Sequence, residues 1–298
     1  MAISKFLDPK NDFAFKKVFG TEKNKDILIH FLNDILGFTG PAQIHTVSFL
    51  KTVQDPDTAA KKQSIVDVLC EDQTGVQYIV EMQVAKVRGF EKRAQYYAAK
   101  AYINQLDKSE AYHNLKEIIF ITITDFTMFP NKQGYKSDHV VLDKKTGEHD
   151  LKDFSFTFIE LPKFNKSIDQ LGNMTEKWAY FFKHADETTE ADFEKIKGQD
   201  WVIEKAYDQL NKLSWSEGEI NAYEQELKSQ RDFEGMLDAA RETGLQKGIE
   251  LGEERGKLEG RLEGRLETAK NMLNKGLDLN LIKEVSGLSE EEIQQLKS

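Results

Sequence analysis

The stretch S-I-V-D-V-L-C-E-D-Q-T-G-V-Q-Y-I-V-E-M-Q-V, residues 64–84, decides the fold. Its two arms are rich in Val, Ile and Tyr, and Asp72-Gln73-Thr74-Gly75 between them is turn chemistry, so it reads as a β-hairpin. If the loop is Gln73-Thr74-Gly75, with Gly75 in the left-handed position, Asp72 faces Val76. Counting back along both arms then places Asp67 opposite Glu81. Strand side chains alternate, so Glu81 and Gln83 share a face, and Asp67 joins them across the pair. Carboxylates packed among Ile65, Leu69 and Ile79 are costly unless a cation lies between them, and a divalent metal is the simplest one.

A lone acid in a strand ordinarily faces solvent at an edge. Here the opposite face, Val66, Val68, Cys70, Tyr78, Val80, Met82 and Val84, is also apolar. The hairpin is therefore expected to be buried on both sides, as in sheets covered by helices.

Composition bounds the class. The chain has 298 residues, 39% hydrophobic and 31% charged, enough for one large domain with an appendage. No apolar run approaches the roughly 20 residues that cross a bilayer, and the N-terminal residues lack the apolar stretch of a secretory signal. The single cysteine, Cys70, allows no intrachain disulfide and no cysteine zinc site. A cytoplasmic protein without membrane association is expected. The net charge of −10 argues against a general nucleic-acid surface, but it is unevenly spread. Residues 1–100 carry 14 Lys/Arg against 12 Asp/Glu, so the acidity lies beyond the segment that holds the hairpin.

Outward from the hairpin, residues 12–37 read as two helices broken near Gly20, and a first strand is expected around Ile44 to Val53. A helix from about Phe90 to Leu106 follows, then strands at Glu117 to Thr124 and Phe154 to Leu161, with a polar stretch from Lys132 to Asp150 between them. Strands and helices thus alternate around a buried sheet, an α/β core. From Ile168 onward the pattern is helical only. Trp178, Phe181 and Phe182 form an aromatic stripe of core character, followed by a polar stretch from Ala185 to Asp200. The expected divisions are a core at 1–167, a helical extension at 168–235 and a helical arm at 236–298.

In the arm, Gly244, Gly248, Gly252, Gly256, Gly260 and Gly264 recur every four residues. Each costs about 1 kcal/mol relative to Ala inside a helix, so two readings stand side by side: a helix that packs closely on a second copy of the chain, or a frayed, flexible tail. The end of the chain, 272–296, reads as helix, turn, helix, with Gly287 at the break and Ser289 and Glu292 forming a capping box. A DNA-reading helix-turn-helix is one reading; the acidic start of the second helix favours a packing hairpin.

Asp67, Glu81 and Gln83 supply oxygen ligands of the kind Mg²⁺ takes while keeping waters for exchange with phosphate. Their arrangement resembles the PD-(D/E)xK nuclease core. More closely, the chain resembles the Rpn family of recombination-promoting nucleases and transposases. The similarity rests on residues 7–20 (LDPKNDFAFKKVFG), 64–75, 79–102, 118–129, 161–167 and 176–185, together with the glycine-period tail. It implies a restriction-endonuclease-like core acting as a Mg²⁺-dependent DNA endonuclease, with Mn²⁺ as a substitute, in recombination or mobile-element biology. It further implies that Asp67 and Glu81 bind the metal. Gln83 stands where the wider superfamily has Lys and offers a neutral hydrogen bond instead of a charge. Lys86, Arg93 or Lys100 is expected to contact DNA and supply the missing charge. Asp12, from the first helix, is a further candidate for the site, its alternative role being the N-cap of that helix. DNA and a second copy of the chain are the expected partners.

Overall fold

The computed structural model describes residues 4–54, 64–106 and 111–296, and falls into two compact units, residues 1–230 and 231–298. In the first unit α1 (Asp12–Phe19) and α2 (Lys25–Leu36) lead into β1 (Val47–Phe49), β2 (Val53–Gln54), β3 (Ser64–Ile65), β4 (Val68–Asp72) and β5 (Gln77–Gln83). Next come α3 (Phe90–Ile103), β6 (Ile118–Thr124), β7 (Lys136–Val140) and β8 (Phe154–Glu160), then α4 (Met174–His184), α5 (Glu190–Lys197) and α6 (Trp201–Gln209). The long helix α7 (Glu217–Asn274) begins here. Gly20 and Gly37 end the first two helices, Gly37 with φ +68° as the left-handed C-cap that spares a side chain.

Six strands form one sheet in the order β1-β4-β5-β6-β8-β7, with β5, β6 and β8 parallel at its centre and the other pairs antiparallel. Side chains alternate, so the two faces are covered by different layers. One face, with Val68, Cys70, Tyr78, Val80 and Met82, packs on α1, α2, α4 and α6. That layer is dense in aromatic rings: Phe19 lies 5.1 Å from Phe31 and 5.5 Å from Phe182, ring centroid to centroid. Trp178, Phe181 and Phe182 are fully buried in it, the core role expected of the stripe. Full burial of such side chains is worth roughly 1.5–3 kcal/mol each. The other face, with Leu69, Ile79, Ile118 and Phe120, is covered by α3, whose Ala94, Ala98 and Ala101 permit close approach.

The hairpin register is the one the turn chemistry dictates. Asp72 N donates to the Val76 carbonyl, Gly75 sits at φ +85°, and Leu69 pairs with Ile79, which sets Asp67 opposite Glu81. The first arm is not one continuous strand, however. It breaks at Val66-Asp67, and β3 pairs instead with β2 in a separate ladder. The break flips the alternation: Val66 packs under α3 with Leu69 and Ile79, and Ile65 is 54% exposed rather than packed beside the acids. The strand expected at 44–53 is likewise two short strands, and the polar stretches at 132–150 and 185–200 hold β7 and α5. β7 has polar residues on the open side of an edge strand, which hides its alternation.

In the second unit α7 is followed by α8 (Leu279–Ser286) and α9 (Glu290–Gln295). Ala269, Ile282, Leu288 and Ile293 make a small core. Ser289 and Glu292 form the capping box read from the sequence. Among the described residues no helix is long and apolar enough to cross a membrane.

Candidate nuclease active site

Asp67 lies at the break before β4 and Glu81 within β5, on the α3 side of the sheet. The break turns the Asp67 carboxylate across the pair, where Oδ2 accepts from Met82 N at 2.9 Å, while Asp67 N donates to Glu81 Oε1 at 3.3 Å. Gln83, two residues along the same face, donates from Nε2 to Glu81 Oε2 at 2.9 Å. Its Oε1 accepts from Arg93 of α3. The Arg93 guanidinium stacks on Phe90 at 4.7 Å from the ring centroid and lies 5.9 Å from Tyr97. Arg93 therefore turns toward Gln83 and the acid pair.

α1 supplies the other side. Asn11 is its N-cap, its side chain accepting from Ala14 N, so Asp12 is released from the capping role that the sequence also allowed. Asp12 binds Lys16 one turn on at 2.7 Å, and Lys16 Nζ lies 3.6 Å from Asp67 Oδ1. Lys17, its neighbour, points elsewhere, pairing with Glu219 and stacking 4.2 Å over Trp215. Asp12, Lys16, Asp67, Glu81, Gln83 and Arg93 thus converge. Lys86 does not join them; its ammonium holds the Thr127 carbonyl at 3.0 Å. Lys100 lies two turns beyond Arg93 on α3, half-buried.

The electrostatics are those of a crowded acid pair. Burial raises the Asp67 pKa to about 6, with Asp12 adding to the rise and the Met82 amide and Lys16 opposing it. Glu81, 3% exposed, is raised well above the usual range by burial and then by Asp67, with Arg93 opposing. Burial pulls Lys16 down, but Asp12 and Asp67 outweigh it and its pKa ends raised. The two cations offset the acids in part only, which leaves the pair with a high affinity for a proton or a cation.

A row of polar groups at the carboxyl ends of the parallel strands was not legible beforehand. Gln83 aligns with Thr124 and Glu160, and Glu81 with Thr122 and Phe158. Glu160 is fully buried; it accepts from Met128 N at 2.6 Å and Phe129 N at 2.9 Å and pairs with Lys163 at 2.7 Å. It latches the 125–129 loop over the end of the sheet. An acid closing an apolar strand just before Leu161-Pro162-Lys163 was the available signal.

The whole arrangement can be set beside known families. A profile described as PD-(D/E)XK nuclease family transposase matches residues 9–240. The chain belongs to that family. A second profile, the C-terminal HTH domain of the Rpn/YhgA-like nuclease family, matches residues 262–298. The PD-(D/E)XK assignment agrees with the mixed six-stranded sheet and its flanking helices, and gives the chain a nuclease or transposase-like role. The HTH match corrects the preference for a bare packing hairpin: the end of α7, α8 and α9 correspond to a helix-turn-helix domain. No curated protein and no solved structure matches the chain.

Among the described residues no three His, Cys, Asp or Glu side chains are gathered as a metal cluster. The donor chemistry of Asp67 and Glu81, two facing carboxylates with an amide beside them, nonetheless suits a hard divalent cation that completes its shell with water.

Proposed function

We propose that the chain is a Mg²⁺-dependent DNA endonuclease, with Mn²⁺ as a substitute, acting in recombination, mobile-element movement or defence. The reading rests on one observation: Asp67 and Glu81, facing each other under burial, share too little positive charge for two anions. Asp67 and Glu81 would hold the metal, whose chemistry is to polarise a phosphodiester and lower the pKa of a bound water. Gln83 orients Glu81 through its amide, and Arg93 fixes the rotamer of Gln83 while bringing a positive charge toward the developing phosphorane. Asp12 holds Lys16 toward Asp67, so that an ammonium stands at the edge where a phosphate would enter. Lys86 and Lys100 lie outside this constellation and are proposed as contacts to the DNA backbone.

Nicking of supercoiled plasmid tests the reading. Cleavage should need Mg²⁺ or Mn²⁺, fail in EDTA, and vanish in Asp67→Ala and Glu81→Ala with the fold retained. Full activity in either variant would remove the site assignment. A second reading, a non-cleaving DNA-binding or assembly module, is favoured by Gln83 standing where Lys is usual. DNA binding with no cleavage under any divalent ion would select it. The chain is further proposed to work as a homodimer in the cytoplasm, joined through the glycine-periodic helix.

A further inference from the structure

On the α3 side of the sheet, a cleft of about 360 Å³ lies beyond the acid pair. Phe129, Phe154, Phe156 and Phe158 line it, with His139 at one side and Gln95 of α3 at the rim. The rings are arranged, not scattered: Phe129 meets Phe158 edge-on at 5.1 Å and His139 at 5.0 Å, and His139 meets Phe158 at 5.3 Å. Burial, then Lys132, holds the His139 pKa below its usual value, so the ring is neutral at pH 7. The rim also carries Glu91, which repels a phosphate. Lys132 also reaches the cleft, 3.2 Å from His139 Nε2 and 5.2 Å over the Phe129 ring, so the charges of Glu91 and Lys132 oppose one another there and the aromatic walls favour a flat, hydrogen-bonding group.

Two connections tie the cleft to the carboxylates. Phe158 aligns through Thr122 with Glu81, two strands away across the sheet, a span of roughly 10 Å. The loop after β6 makes the second. Asp125 N donates to the Gln83 carbonyl, and Phe129 of the same loop lines the cleft. Four residues of chain cover no more than about 14 Å. Arg93 and Gln95 are about 200° apart around α3, so the helix offers one flank to the acids and the other to the cleft.

We infer that this cleft binds an unpaired nucleobase of the nucleic-acid substrate, stacked among Phe129, Phe156 and Phe158, while a phosphate a few nucleotides away lies at Asp67 and Glu81. The inference rests on the nuclease reading for what happens at the carboxylates, but not for the cleft. It assigns a substrate class: single strands, flaps or distorted duplexes, in which a base is free to leave its stack.

The test compares binding of a single-stranded oligothymidylate with that of an abasic oligomer carrying the same number of phosphates, by fluorescence anisotropy in EDTA. Equal phosphate counts cancel the electrostatic contribution. The full chain should bind the base-bearing strand about 5- to 100-fold more tightly, the worth of a stacked base or two. Phe156→Leu, which keeps apolar bulk but removes a ring face, should reduce that ratio and leave abasic binding unchanged. Val140→Trp, a substitution at an exposed rim position that fills the cleft from outside, should do the same without touching the core. Equal binding of both strands by the full chain, or equal loss of both in the variants, would overturn the inference. Plasmid nicking by the same preparation separates the two readings. Nicking without base-dependent binding sinks the cleft alone; base-dependent binding without nicking upholds the cleft and counts against the nuclease.

Discussion

Arg93 reaches Glu81 through Gln83: its guanidinium donates to the Gln83 Oε1, and Gln83 Nε2 donates to the Glu81 carboxylate at 2.9 Å. A neutral amide thus stands between an arginine and an acid, where the superfamily commonly places a lysine directly. Restoring Lys by Gln83→Lys would set two cations side by side, so it should lower cleavage, not raise it. Arg93→Ala should cost on the order of 100-fold, the scale of losing one positioned donor near developing charge. Gln83→Lys with Arg93→Ala should recover part of the single-variant losses. Plasmid nicking rates of the four proteins decide this, and strict additivity of the two losses would remove the coupling.

The raised pKa of Asp67 has a consequence for stability with a definite sign. Its value lies near 6 in the folded chain against the ordinary 3.8, so between those pH values the folded state holds more protons than the unfolded one. Stability from this group is therefore full below about pH 4, falls as pH rises through the window, and is lost above about 6. Asp67→Asn keeps an oxygen to accept from Met82 N and carries no charge. It should be more stable than the wild type at pH 7.5 in EDTA and equal to it at pH 4, measured by urea unfolding. Equal stabilities at both pH values would show that the acid is not penalised.

A divalent cation should relieve the same penalty. Thermal unfolding in Ca²⁺, Mg²⁺ or Mn²⁺ should shift upward at pH 7.5, in proportion to the logarithm of metal concentration above saturation. At pH 5 protons compete for Asp67 and Glu81, and the shift should shrink. It should disappear in Asp67→Asn. A shift that survives that substitution would place the ion elsewhere.

Glu160 is the latch for the loop that roofs the sheet end. Glu160→Ala would take the carboxylate from the Lys163 ammonium, 11% exposed, which keeps the Phe129 carbonyl at 2.6 Å, and would strand two backbone N–H groups. Breaking a buried pair of this kind costs about 3–5 kcal/mol. Glu160→Gln keeps an acceptor for Met128 N and Phe129 N and should cost less. Denaturant midpoints report both, and equal losses would mean that the charge and not the loop hydrogen bonding dominates.

The hairpin register was legible because turn residues and strand alternation count in integers: fixing Gly75 in the left-handed position fixes Asp67 opposite Glu81. The faces were only half legible. Alternation holds until the chain breaks at Val66-Asp67, and no residue there signals a break; beyond it the arm pairs with β2, Val53 facing Ile65 and Gln54 facing Ser64. Asp12 was ambiguous because Asn11 and Asp12 are both good caps, and only the geometry of Asn11 on Ala14 N resolves it. Arg93 and Glu160 could not be placed from periodicity at all, since each is defined by a partner on another element. β7 and α5 lay hidden in polar stretches because an edge strand and a surface helix need few apolar residues.

The glycine period of α7 gives the last prediction. Gly244 through Gly264 have open space where a Cβ would project: apart from the adjacent residues and the backbone of the helix's own neighbouring turns, no heavy atom comes within 4 Å at any of the six positions. Along the same helix Leu245, Leu251 and Leu258 are each more than 60% exposed. Two mechanisms make opposite demands on Gly248→Ala with Gly252→Ala. In a helix that stands alone, each Ala adds about 1 kcal/mol of helix stability and changes nothing else. In a helix that packs on a second copy, the glycines permit backbones to approach, and two methyl groups at the contact prevent it. Homodimerisation therefore predicts that the double variant is more helical yet sediments as a monomer at concentrations where the wild type is a dimer. Analytical ultracentrifugation with circular dichroism on the full chain reads both quantities. A wild-type monomer, or a double variant that still forms the dimer, would remove the glycine face from the interface.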